Sequence, residues 1–169
     1  MFVAAWHGHV DIVKALLRSG ASVRIRNNDG SSVLQAAARH SAVLCMVCGT
    51  DAKLDVNYQD NLGFTALMQA VNINSLSPFL QPDYTLTEDR LRCIAILLDS
   101  GVDVNQLNTF GRSALMSAAF SHSVRLVSAL LAAGARVDTV CKNGKRAVDY
   151  TSDVEVKRLL QTPRLAVCL

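Results

Sequence analysis

Apolar residues fall along this chain in short bursts at helical spacing, and four times a polar or turn-forming triplet followed by glycine introduces them. The stretch from Asn108 to Val140 shows the unit most clearly. A turn at Gly111 leads through Ser113 into Leu115, Ala118 and Ala119; after a short break come Leu126, Val127, Leu130 and Leu131, and Gly134, Ala135 and Val137 close the unit. Apolar positions three and four apart predict two short helices, each buried along one face. Ser113 stands where a hydroxyl caps a helix start, and Ser32 and Thr65 stand in the same place in earlier units.

The opening glycine returns at Gly30, Gly63, Gly111 and Gly144, separated by 33, 48 and 33 residues, the middle interval being one period plus an insertion of 15. A fixed period of this length marks a protein of stacked repeats. The residues Gly30-Ser-Ser32-Val-Leu34-Gln-Ala-Ala37-Ala38, Gly63-Phe-Thr65-Ala-Leu67-Met-Gln-Ala70 and Gly111-Arg-Ser113-Ala-Leu115-Met-Ser-Ala118-Ala119 begin the units. Leu16-Leu17-Arg-Ser-Gly20-Ala21, Leu97-Leu98-Asp-Ser-Gly101-Val-Asp-Val-Asn105 and Leu130-Leu131-Ala-Ala-Gly134-Ala135 close them. On these residues the chain resembles the ankyrin-repeat family. The family's T-P-L-H element reads SVLQ, TALM, SALM and RAVD here, so the proline and histidine are gone. The resemblance implies an all-α solenoid of stacked helix-turn-helix units with β-hairpin-like finger turns. It implies a non-enzymatic adaptor or scaffold that binds a protein partner through a concave face.

Laid along the chain, the frame predicts one domain over 1–162. Its repeats are 1–26 (truncated), 27–59, 60–107 with an insertion at 74–88, 108–140 and a cap at 141–162; a short tail, 163–169, follows. Met1 falls on the leucine of the T-P-L-H element, so the first unit lacks its hairpin and should expose apolar surface. That suggests a piece of a longer array or an alternative start, against a complete protein with a frayed first helix. The larger protein could be a ubiquitin-ligase substrate receptor or a membrane protein with a cytosolic ankyrin part. His7-Gly8-His9 fits an inter-helix turn, and Val10, Ile12, Val13, Leu16 and Leu17 the buried face of a helix. In the second unit Gly49 falls inside the outer helix and Lys53 replaces its closing glycine, which makes this repeat the softest. In the insertion, Pro78 and Pro82 stop the inner helix, and Thr85-Leu-Thr-Glu88 has capping-box spacing for a restart that runs to Ser100. Phe79, Leu80 and Tyr84 there are either partner anchors or parts of a tolerated loop.

Composition narrows the chemistry. Half of the 169 residues are apolar, five are cysteines, the opening lacks a signal-peptide pattern and no apolar run approaches membrane-spanning length. These predict a soluble cytoplasmic or nuclear protein, monomeric and without membrane insertion. Net charge is +3, and from Arg136 onward seven basic residues face four acidic ones. Nucleic-acid contact through this basic cap is the weaker alternative function, because its basic residues lack interleaved aromatics in sequence. Cys45 and Cys48 form a C-x-x-C, but in the repeat frame they take core-facing positions, so burial is expected rather than redox or metal chemistry. No residues converge on a catalytic site, and no cofactor or metal is expected.

Candidate binding residues follow from repeat position. The exposed side of the inner helices and the finger tips should carry Trp6, Arg39, His40, Leu62, Phe64, Asn72, Phe110, Arg112 and Phe120. Aromatics and arginines dominate interaction hot spots; the structural alternative is packing of hairpin aromatics on the next finger. Asn105, eight residues after Leu97 and two after Asp103, resembles the context that the oxygen-sensing asparaginyl hydroxylase modifies in ankyrin repeats, although asparagine there also secures a hairpin.

Overall fold

Four glycine turns and the paired helices between them organise a computed structural model that describes residues 1–50, 54–71 and 88–161. The helices are α1 (Phe2–Trp6), α2 (Val10–Arg18), α3 (Val33–Ala37), α4 (Ser41–Thr50), α5 (Ala66–Val71), α6 (Glu88–Asp99), α7 (Ala114–Phe120), α8 (Val124–Ala132) and α9 (Val154–Gln161). A 3-10 turn, Ala147–Tyr150, takes the inner-helix place before α9. Among the described residues the only β pairing is an isolated antiparallel bridge between Arg26 and Ser32. The architecture is an all-α stack.

The inner row packs α1 on α3, α3 on α5, α5 on α7 and α7 on the 3-10 turn; the outer row packs α2 on α4, α4 on α6, and α8 on α9. Small side chains let the inner helices approach closely: Ala5, Ala37, Ala70, Ala118 and Ala119 are fully buried. Between the rows Leu34, Leu44, Leu67, Ile94, Leu97, Leu115, Leu126 and Leu130 form one continuous core. The expected hydroxyl caps are present. Ser32 Oγ accepts from Gln35 N at 3.2 Å, Thr65 Oγ1 from Met68 N at 3.2 Å and Ser113 Oγ from Met116 N at 3.3 Å. Ser32 and Gln35 complete a reciprocal capping box.

Neighbouring repeats are also tied through polar side chains. Asp89, in the first turn of α6, accepts from the backbone N–H of Ser41 at 3.1 Å and from its hydroxyl, so α4 is capped from the next repeat. Arg90 is buried and donates through Nε to the Ala70 carbonyl at 2.7 Å, joining α6 to the end of α5.

The second repeat corrects the expected register. Its inner helix α3 has 5 residues where α7 has 7, so its outer helix begins two places early in the frame. Val43, Leu44 and Val47 then fill the core sites that Leu126, Val127 and Leu130 fill in α8. Cys45 is consequently exposed, not core-facing as expected, and Cys48 is half-buried. In α2, Val13 is buried but Ile12 is 52% exposed and Val10 is also exposed, so the expected buried face is narrower than the apolar pattern. The insertion's prolines, Phe79, Leu80, Tyr84 and its capping threonine lie outside the described residues, as does Lys53; α6 is described from Glu88 to Asp99.

Candidate protein-binding face

The four fingers are built on one plan. A side-chain acceptor heads each loop and takes two backbone N–H groups. Asn27 Oδ1 accepts from Asp29 at 3.1 Å and Ser31 at 2.7 Å; Asp60 Oδ1 from Leu62 at 3.0 Å and Phe64 at 2.9 Å; Asn108 Oδ1 from Phe110 and Arg112, both at 3.0 Å. In the last finger Cys141 takes this place. Its sulfur lies 3.2 Å from the Tyr150 hydroxyl and is faced by the N–H groups of Lys145 and Asn143. The Tyr150 contact first, then those two amides, lower its pKa below the usual thiol value.

One backbone hydrogen bond joins each finger tip to the next. Asn61 N donates to Asp29 O at 3.1 Å, Thr109 N to Leu62 O at 3.0 Å and Lys142 N to Phe110 O at 3.1 Å. Thr109 Oγ1 reinforces the middle link at 2.9 Å. At Gly63 the chain has φ +76°, and a Cβ would stand 2.8 Å from Thr109 N, so this link requires glycine twice over. The ladder fixes the backbone of Leu62 and Phe110 while their side chains point to solvent, each 50% exposed.

Trp6, ending α1, is 39% exposed and Phe120, ending α7, is 53% exposed. Arg39 lies over the Trp6 ring at 5.8 Å, with burial lowering its pKa. His40 Nε2 donates to the Trp6 carbonyl at 3.1 Å, and a Cβ on Gly8 would collide with its ring, so His40 is a half-buried strut between the first two repeats. Phe64 is half-buried against the core, and its carbonyl accepts from Gln35 Nε2 at 2.6 Å; it supports the face more than it presents a contact. Asn72 lies outside the described residues.

Arg112 is exposed and reaches toward two rings, Phe110 at 6.0 Å and Tyr150 at 5.6 Å, while Lys145 Nζ stands 5.8 Å from Tyr150. Sequence spacing hid Tyr150. It occupies the place that Ser117 holds in the preceding repeat, and only the shortened inner element turns it toward the finger. The expectation that the basic cap lacks aromatic neighbours is therefore corrected.

Asn105 lies away from this face and holds two repeats together. Its Nδ2 donates to Gly134 O at 3.2 Å and its Oδ1 accepts from Arg136 N at 2.8 Å. Asn57 does a similar job one repeat earlier, accepting from Asp103 N at 2.6 Å. No helix of the described residues is long and apolar enough to cross a membrane.

Residues 1–80 match the family described as ankyrin repeats (3 copies), and residues 84–131 that described as ankyrin repeats (many copies). The B-cell lymphoma 3 protein homolog of Mus musculus is 26% identical over 90% of this chain and 32% of its own length. The nuclear factor NF-kappa-B p105 subunit of Gallus gallus is 30% identical over 79% of this chain and 13% of its own length. The putative ankyrin repeat protein YahD of Escherichia coli is 27% identical over 77% of this chain and 57% of its own length. The chain thus spans about a third or less of the first two relatives. With its 33-residue period, its paired helices and its laddered finger turns, this chain belongs to the ankyrin-repeat family.

Proposed function

We propose that this chain is a non-enzymatic adaptor module that grips a protein segment on its concave face, formed by the finger tips and the exposed ends of the inner helices. One observation carries the reading: Trp6, Leu62, Phe110 and Phe120 stand out from that face although the interior has a continuous apolar core to receive such side chains. Large apolar groups left exposed along one line of a repeat stack favour an interaction surface. The finger ladder ties the backbone of Leu62 and Phe110, and Trp6 and Phe120 end helices, so binding orders little further chain, which favours affinity. We place the protein in the cytoplasm or nucleus, consistent with Cys45, Cys48, Cys93 and Cys141 all being free thiols.

The test is a pull-down from cell lysate with the wild-type chain beside a Phe110→Ala, Phe120→Ala double variant, read by mass spectrometry and paired with thermal melting. A partner lost from the variant at unchanged melting supports the face. Loss of fold in the variant would make the rings core elements, and identical partners from both would move the site elsewhere.

A further inference from the structure

Resting on that concave-face reading, we propose that the bound segment is acidic at one end. A cluster of Asp or Glu side chains meets Arg112, Lys142 and Lys145, while an adjoining aromatic or aliphatic side chain packs on Phe110 and Phe120. The charge on this face is uneven. Arg112, Lys142 and Lys145 are all exposed on the last two fingers, and among the described residues none of them has an ion-pair partner. The carboxylates nearest in sequence are already engaged: Asp138 pairs with Arg136 at 3.8 Å, and Asp149 accepts from Arg146 N at 2.8 Å and pairs with the Arg146 guanidinium at 3.9 Å.

The cations are held in place. Arg112 stands 6.0 Å from the Phe110 ring and 5.6 Å from the Tyr150 ring, and Lys145 Nζ stands 5.8 Å from Tyr150. Cation–π contacts of this range restrict the side chains without neutralising them. Lys142 is anchored through its backbone N–H to Phe110 O. Two cations held beside aromatic rings, Arg112 and Lys145, with Lys142 on the same finger tip, complement carboxylates carried next to an apolar side chain, and Arg offers a planar fork for carboxylate.

The distribution favours a peptide over single-stranded nucleic acid. A nucleic acid carries one phosphate per nucleotide and needs a cationic track along its whole path. Here the middle of the face, Leu62 and Phe120, is apolar and separates Arg39 beside Trp6 from Arg112, Lys142 and Lys145 on the last two fingers, so the cations form no continuous track.

The experiment uses the full chain as target for a random 12-residue phage-displayed peptide library, with enriched sequences synthesised and measured by fluorescence anisotropy. Expected are peptides with two or more acidic residues within about four positions of Phe, Trp or Leu. Their affinity should drop at least about tenfold on Arg112→Glu with Lys145→Glu, the scale of a hot-spot residue. It should fall with added salt. Both positions are exposed, and the neutral pair Arg112→Gln with Lys145→Gln provides an intermediate loss should charge reversal disturb folding. Apolar peptides that depend on Phe110 and Phe120 but ignore both charge variants would overturn the acidic proposal and leave the concave-face reading standing. Peptides indifferent to all four positions would sink that reading as well. Failure to enrich any acidic motif, with salt-sensitive binding of a fluorescent oligothymidylate lost in the charge variants, would assign the cluster to nucleic acid instead.

Discussion

At the scale of single residues, the last finger shows how one position can be filled by different chemistry. Asn27, Asp60 and Asn108 each accept two amides with a side-chain oxygen, and Cys141 does so with sulfur. Cys141→Ala removes the sulfur that faces these amides and the Tyr150 hydroxyl and should lower stability, whereas Cys141→Asn should be neutral or stabilising. The alanine penalty should also depend on pH. The folded thiol ionises below its ordinary value, so in the window between the folded and unfolded pKa the unfolded chain holds the extra proton and stability rises with pH. The melting difference between wild type and Cys141→Ala should therefore widen from pH 7 to pH 9; a constant difference would mean that the Tyr150 hydroxyl and the amides do not favour the thiolate. Burial acts in the opposite sense on Cys93, pushed up to about 12, so its thiol stays protonated across that range. Glycine gives a second comparison. Gly63 and Gly144 share nearly the same φ, +76° and +75°, but a Cβ meets Thr109 N at 2.8 Å from the first and nothing within 4 Å from the second. Alanine at either position bears the left-handed cost of about 1–2 kcal/mol. Alanine at 63 should cost more by urea denaturation, because it also forces the finger link open; equal losses would show that the link adds nothing.

Element by element, the helix pairs were legible in the sequence because apolar positions recur with the repeat, and α9, Val154–Gln161, falls within the stretch read as a cap. What escaped was any change of spacing inside a repeat. Reading Cys45 as core assumed that the inner and outer helices of the second unit keep a constant offset; loss of two residues from α3 shifted the outer face, and Val43 and Val47 were the residues that fitted. The exposure of Trp6, Leu62, Phe110 and Phe120 was legible, since these side chains follow the finger and helix-end positions. Tyr150 was not, because contacts between successive elements are invisible to a frame that treats each repeat alone. The same holds for Asp89, whose carboxylate caps α4 across a sequence gap of 48 residues. Asp89→Ala should cost about 1–2 kcal/mol, as other lost caps do, and show raised amide exchange at the start of α4. Glu88→Ala, which breaks an exposed pair with Arg125 at 2.8 Å, should cost less than the loss of Asp89 and less still in high salt. If the two substitutions cost the same, the cap across repeats carries no special weight.

Across the whole molecule, each inner helix packs on the inner elements before and after it, and the fingers are joined tip to tip, so cohesion passes along one axis. Such a stack has no single core whose loss is all-or-none; its stability is a sum of repeat terms and interfaces between neighbours. Leu115, fully buried in α7, touches this axis at its middle. Leu115→Ala should cost about 2–5 kcal/mol, as large-to-small core changes do. The loss should also be local in space. By hydrogen exchange, amides of α5 and of the 3-10 turn beside α7 should lose protection first and α1 least, because along the inner row the disturbance reaches α1 only through two intervening helices, α5 and α3. A uniform loss of protection over all described helices would instead show that the chain unfolds as one unit. The same locality bears on binding: since Phe110 and Phe120 flank α7, the Leu115→Ala chain should lose partner affinity through the centre of its face while Trp6 and Arg39 keep their contact. A variant that retains full affinity would place the binding energy toward α1, outside the segment that α7 positions.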